Sequence, residues 1–136
     1  MNRMVSPPGG QSQAGAAPRR VMVIGSLGWS LVNFRLDLMR RMRANGHHVT
    51  AVTPDLDGEI RQRLESLGIR TATVPMQRTG INPLADMATM EALRRLMRRE
   101  RPDVVIPYTM KPIVYGAMAA RLAGVPACYP LFTGLG

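Results

Sequence analysis

Two short segments carry residue types suited to an anionic or hydroxyl-bearing ligand. Gly25-Ser26-Leu27-Gly28 follows the apolar run VMVI and leads into a stretch of helical spacing. Glycines let a backbone approach a ligand closely, and the first amides of a helix carry about half a positive charge, so a phosphate or a sugar could dock on this turn. A tight strand-to-helix turn with no ligand accounts for Gly25 and Gly28 equally well. The spacing is not G-x-G-x-x-G and nothing resembles G-x-x-x-x-G-K-[ST], so dinucleotide and P-loop readings lose their main support. The second segment, Tyr108-Thr109-Met110-Lys111-Pro112, follows the run VVIP and is stiffened by Pro107 and Pro112. Lys111, the sole lysine among 18 basic side chains, could meet a phosphate or a carboxylate, or stand as a solvated loop lysine. Phe132 to Gly136 follow the last apolar run and could line the same opening.

Charged residues on the two longest helical patterns raise further candidates. At 100° per residue, positions 30 to 44 place Leu31, Phe34, Leu38, Met39 and Met42 on one arc, and Arg35 falls inside it. A guanidinium there needs a partner or an escape route: it holds an anion or a substrate hydroxyl, pairs with a carboxylate, or snorkels to water. On the pattern that begins at Pro83, Met90, Leu93, Leu96 and Met97 share one side, while Arg94, Arg95, Arg98 and Arg99 spread over the other. That face is either solvated or touches an anionic membrane, where each charge contributes about 1 kcal/mol. His47 and His48 open a strand at the edge away from the glycine turn, and Cys128 reads as a small buried hydrophobe rather than a nucleophile.

The elements that must position these residues alternate along the chain. Strands are expected at 21–24, 49–53, 69–74, 103–108 and 125–131, and helices at 30–44, 56–67, 83–101 and 113–123. Asn82-Pro83 supplies an N-cap followed by proline at the first helical position. Continuous apolar strands are covered on both faces, which is the habit of parallel sheets. The expected fold is therefore α/β: an open doubly wound parallel sheet, Rossmann-like, in the order 3-2-1-4-5. In that order a crevice opens at the carboxyl ends of strands 1 and 4, where the glycine turn and the Tyr108–Pro112 turn both arrive.

Composition bounds the rest. The chain has 136 residues, 46% of them apolar, which suits one ordinary domain. Residues 1–19 are rich in Gly, Pro, Gln, Ser and Ala without hydrophobic period and are expected to form a flexible tail, leaving a domain over 20–136. The tail holds Arg3 and Arg19 and no acid, so the net charge of +9 falls by two to +7 for the domain, and anionic partners are expected. Nucleic acid is not among them, because aromatic residues make up only 4% and no recognition motif accompanies the charge. One cysteine excludes an internal disulfide, and no Cys/His cluster has the spacing of a metal site. With no secretory h-region and no stretch of ~20 apolar residues, the expected location is cytoplasmic.

Four segments together resemble the N-terminal domain of glycosyltransferase family 4 enzymes, particularly those of bacterial surface-polysaccharide biosynthesis: NFRLDLMRRMRANGHHVTAVTPD, TGINPLADMATMEALRRLMRRERPDVV, YTMKPIVYGAMAARLAGVP and FTGLG. The likeness runs from about Arg20 to Gly136. It implies the GT-B architecture, in which a first Rossmann-like domain holds mainly the acceptor and a second mainly the nucleotide sugar. It further implies retaining transfer of a hexose or N-acetylhexosamine from a nucleotide diphosphate sugar, often to a polyprenyl-linked glycan at the inner face of the plasma membrane. No cofactor beyond that co-substrate, and usually no metal, is implied. By position, Gly25, Ser26 and Gly28 match the turn that faces the donor diphosphate. Asn33 and Arg35 match the NFR signature; Thr79, Gly80 and Asn82 the RxGxNP loop; Lys111 and Pro112 the KP turn; Thr133, Gly134 and Gly136 the TGLG loop. All would border the interdomain cleft, with no catalytic base assigned.

The sequence departs from that family in stopping at TGLG. The donor-binding half with its ExxxxxxxE signature is absent, and Glu59, Glu65, Glu91 and Glu100 contain no pair at that spacing. The expectation is an acceptor-side domain that is a fragment, a truncated product or half of a split enzyme, inactive without a donor domain. The alternative is a non-catalytic basic module that binds anionic membrane surfaces or a partner protein.

Overall fold

A computed structural model of the chain describes residues 17–77, 80 and 82–131. The elements are β1 (Arg20–Ile24), α1 (Gly28–Phe34), α2 (Leu36–Ala44), β2 (His48–Thr53), α3 (Gly58–Ser66), β3 (Arg70–Thr73), α4 (Pro83–Glu100), β4 (Val104–Pro107), α5 (Met110–Ala123) and β5 (Ala127–Cys128). Every pairing is parallel and the order is β3-β2-β1-β4-β5, as the sequence predicts. Of the predicted flexible tail, residues 1–16 lie outside the described residues, and 17–19 are exposed.

Side chains alternate across β1 and divide the core in two. Val21 and Val23 join Leu31, Met39, Leu64 and Tyr108 under α1, α2 and α3. Met22 and Ile24 join Leu93, Met97, Ala119 and Ala120 under α4 and α5. The small residues of α5 let it lie close to the sheet: a Cβ on Gly116 would stand 3.2 Å from Pro107. The expected cap forms, with the Asn82 side chain accepting from the Ala85 amide at 3.2 Å, and Asp57, which the sequence reading did not single out, caps α3 by accepting from the Ile60 amide at 2.8 Å.

Three boundaries differ from expectation, each for a local reason. The helix expected over 30–44 is two helices meeting at Arg35, where φ is −117° and ψ is −1°. The continuous 100° phase is lost there, so Leu31 and Met39 are buried while Phe34 is 62% and Leu38 37% exposed. The helix expected to begin at 113 begins at Met110, which puts Lys111 and Pro112 in its first turn, where a missing N–H is harmless. The last strand shrinks to Ala127–Cys128 plus a bridge from Leu131 to Tyr108; the amides of Ala127, Tyr129 and Leu131 all donate to β4, and Pro126 and Pro130 take the alternate positions that face the open edge, where a missing N–H costs no ladder bond.

Candidate functional site

The crevice at the carboxyl edge is built by the turns behind β1 and β4, and these are bonded to each other. Gly25 N–H donates to Val52 O at 2.9 Å and Tyr108 N–H to Ile24 O at 3.0 Å, so each strand's pairing runs one residue into its turn. Beyond that point side chains take over. The hydroxyls of Ser26 and Thr109 lie 3.2 Å apart, and those of Ser30 and Tyr108 2.8 Å apart. The Tyr108 ring is the buried keystone, and a Cβ on Gly25 would stand 2.5 Å from its hydroxyl. Burial pushes the Tyr108 phenol above its ordinary pKa, with the Ser30 hydrogen bond and the Arg35 charge pulling partly back. The phenol therefore stays protonated and able to donate.

Arg35 has no carboxylate partner among the described residues, and its side chain is half-buried. Its guanidinium carbon lies 4.8 Å from the Tyr108 ring centroid, a cation–π contact, and one terminal nitrogen donates to Phe34 O at 3.3 Å. Its buried Nε has no hydrogen-bond partner among the described residues. Asn33 stays on the exposed outer side of α1, donating to Trp29 O at 2.8 Å. Trp29 and Phe34 stand out of the same helix as an exposed edge-to-face pair with centroids 5.4 Å apart.

The glycine turn is already occupied by an internal anion. Asp55, just beyond β2, accepts from Gly28 N–H at 2.8 Å and from the Thr53 hydroxyl at 2.7 Å. A Cβ on Gly28 would collide with the Asp55 carbonyl oxygen. Gly25 and Gly28 are thus required by close packing against Tyr108 and Asp55, and the Gly28 amide is not free for a phosphate. Asp55 was absent from the sequence candidates, although a carboxylate directly after a strand next to β1 is a usable signal.

Lys111 also has an internal partner. Its ammonium lies 3.2 Å from Asp86 Oδ1, with the two side chains only 14% and 11% exposed. Burial pushes the Asp86 carboxyl up, but hydrogen bonds from Lys111 and Tyr115 and the Lys111 charge outweigh it and hold the carboxyl below the ordinary range. The Tyr115 phenol is raised by the same contact with Asp86. This pair ties the first turn of α4, after Gly80 and Asn82, to the first turn of α5, where Pro112 is buried. Gly80 adopts φ of +85°, and Thr109 adopts φ of +66°, which is rare for a β-branched residue and carries backbone strain at the crevice. No pattern in the sequence signals the latter. Thr79, Thr133, Gly134 and Gly136 lie outside the described residues.

The arginine face of α4 is not a set of free charges. Glu91 binds Arg94 at 2.6 Å and Arg95 at 2.8 Å, and these bonds lower its carboxyl to about 2. Arg99 pairs with Glu100 at 3.5 Å, and Arg98 lines a cavity near Arg101 at the amino edge of the sheet. These four arginines lie away from the crevice, on the half of α4 that runs toward the amino edge.

Two turns locked together at the point where the strand order reverses mark the crevice of an open α/β domain. Residues 32–134 match the glycosyl transferase 4-like domain, and the chain belongs to that family. It is 23% identical, over 86% of its length and 31% of the relative's, to the N,N'-diacetylbacillosaminyl-diphospho-undecaprenol alpha-1,3-N-acetylgalactosaminyltransferase of Campylobacter jejuni. It is 36% identical, over 43% of its length and 15% of the relative's, to the UDP-Gal:alpha-D-GlcNAc-diphosphoundecaprenol alpha-1,3-galactosyltransferase of Escherichia coli. The chain thus spans about a third or less of the curated relatives it matches. Among solved structures, a glycosyltransferase of Rickettsia africae superposes with a TM-score of 0.70 at 13% identity, over 89% of this chain and 31% of that one. The fold is that of the N-terminal half of a GT-B glycosyltransferase.

Proposed function

We propose that the chain is the acceptor-side domain of a retaining glycosyltransferase, working with a donor-binding domain that lies outside it. The reaction moves a hexose or N-acetylhexosamine from a nucleotide diphosphate sugar to a lipid-linked glycan. The acceptor hydroxyl oxygen bonds to the anomeric carbon, the bond to the diphosphate breaks, and the nucleoside diphosphate and the hydroxyl proton leave. The observation that carries this reading is the interlocking of the turns at the carboxyl edge of β1 and β4, the second of which falls within the family-matched residues 32–134.

In this reading Ser26, Ser30 and Thr109 offer hydroxyls to the substrates, and Arg35 holds Tyr108 in place rather than acting as a free anion clamp. Asp55 occupies the Gly28 amide, so charge compensation for the donor diphosphate falls to the uncapped first turn of α5 and to the donor domain. Asn33, Gly80 and Asn82 complete the cleft rim. The test joins or mixes the chain with a family donor domain and assays transfer to a diphospho-undecaprenol-linked N-acetylhexosamine. Transfer that is lost with Thr109→Val and Ser26→Ala supports the reading. A folded pair that transfers nothing, from a chain whose Trp29 fluorescence does not respond to that acceptor, refutes it.

A second reading, attachment to an anionic membrane, is favoured by a different face. Leu84, Met87, Met110, Val114, Met118 and Leu122 are exposed along α4 and α5, Leu84 to 83%. Pro83, Met90 and Tyr115 connect the two rows through a groove of about 350 Å³. Three of the four α4 arginines pair with Glu91 or Glu100, and four arginines less two glutamates leave +2, which contributes only about 2 kcal/mol at a membrane surface. Each buried Leu or Met would contribute about 1.5–3 kcal/mol, so insertion of the apolar rows dominates. Vesicle attachment should then persist in part at high salt and vanish with Leu84→Ser and Met118→Ser. No helix among the described residues is long and apolar enough to cross a membrane.

A further inference from the structure

A second concentration of charge lies at the opposite edge of the sheet. β1 and β2 begin before α4 has covered them, and the uncovered strip forms a cavity of about 460 Å³ lined by Arg20, His48, Thr50, Arg70, Arg99 and Glu100. Register explains the convergence. Arg20 stands beside His48, and Thr50 beside Arg70, and parallel neighbours in register point to the same face. That face is the one α4 covers, because Met22, Val52 and Ala72, each at an even spacing from these residues, pack beneath it. Glu100, only 16% exposed, fixes two of the cations, with Arg70 at 3.0 Å and Arg99 at 3.5 Å. Arg20 has no ion-pair partner among the described residues.

We propose that this cavity is a second ligand site, separate from the crevice, that takes a phosphate monoester or diphosphate group. Three guanidiniums face the Glu100 carboxylate; the Asp103 carboxylate, which accepts from the Arg20 backbone N–H at 2.8 Å, and the carbonyl end of α4, worth about half a charge, offset part of the rest, so a small positive excess remains. Guanidiniums reach phosphate oxygens in pairs, and the Thr50 hydroxyl and His48 imidazole supply donors of other geometry. The arrangement draws on β1, β2, β3 and α4 at once, which distinguishes it from a solvated arginine row on one helix.

The test titrates the full chain with inorganic phosphate and with pyrophosphate at constant ionic strength, following His48, Arg70 and Thr50 by NMR. Saturable shifts confined to these residues are expected, and Arg20→Gln should weaken binding about tenfold. Arg40→Gln, on the exposed side of α2, should leave it unchanged. Vesicles containing phosphatidate, compared with phosphatidylcholine alone, separate a lipid headgroup from a soluble phosphate: retention lost with Arg20→Gln assigns the lipid source. Shifts that do not saturate, or that Arg20→Gln and Arg40→Gln reduce equally, overturn the proposal, as does an absence of response in both arms. Thermal unfolding of each variant verifies that the fold is retained.

Discussion

Replacing Gly25 with alanine tests whether the crevice is held by close packing. The backbone there is not left-handed, so the new methyl meets a problem of space alone, 2.5 Å from the Tyr108 hydroxyl and 2.6 Å from Cζ. Tyr108 cannot step aside freely, because it is buried, bonded to Ser30 at 2.8 Å and stacked under Arg35. Overpacking of this kind costs about 1–3 kcal/mol, and a broken Ser30 hydrogen bond about 1 kcal/mol more. For a domain of this size that lowers the melting temperature by roughly 8–16 °C. The assay is thermal unfolding by circular dichroism, run beside Tyr108→Phe and the double variant. Removing the hydroxyl removes the nearest clash but not Cζ, so the double variant should recover part of the loss. A melting temperature within 2 °C of the parent, or strictly additive losses, would refute the packing argument.

Glu91→Gln should act in two directions. Its carboxylate is held near 2 against an ordinary 4.5, so its stabilising bonds are present in full above about pH 4.5 and disappear as pH falls toward 2; the variant should show a shallower acid limb in thermal unfolding. At neutral pH it releases Arg94 and Arg95 and should raise retention on anionic vesicles. Asp55→Ala removes acceptors from Gly28 and Thr53 and should lower stability by about 1–3 kcal/mol in denaturant titrations. For the buried pair, Asp86→Asn and Lys111→Met should each lower the melting temperature, and the double variant by less than the two losses together.

The strands were legible because VMVI and VVIP are uninterrupted apolar runs and VTAVT is rich in β-branched residues, with Gly or Pro nearby, and such punctuation acts locally. The break at Arg35 was not, since no Gly or Pro marks it and the residue that holds Arg35, Tyr108, arrives from the turn behind β4, far away in the sequence. The crevice turns were found from position alone, but their internal partners were not. Pairing of Gly28 with Asp55 and of Lys111 with Asp86 depends on which loops and helices become neighbours, and that is decided by tertiary packing. The left-handed backbone of Thr109 runs against the preference of its own side chain, so propensity points the wrong way there.

Because every strand is parallel, α3, α4 and α5 all start at the carboxyl rim. Their peptide dipoles therefore point the same way, and the rim owes part of its attraction for anions to the backbone rather than to side chains. Replacing the buried Lys111 would leave that contribution intact. An incoming headgroup would be turned by the scaffold's own polarity before any residue touched it, and only salt, not mutagenesis, could switch that guidance off.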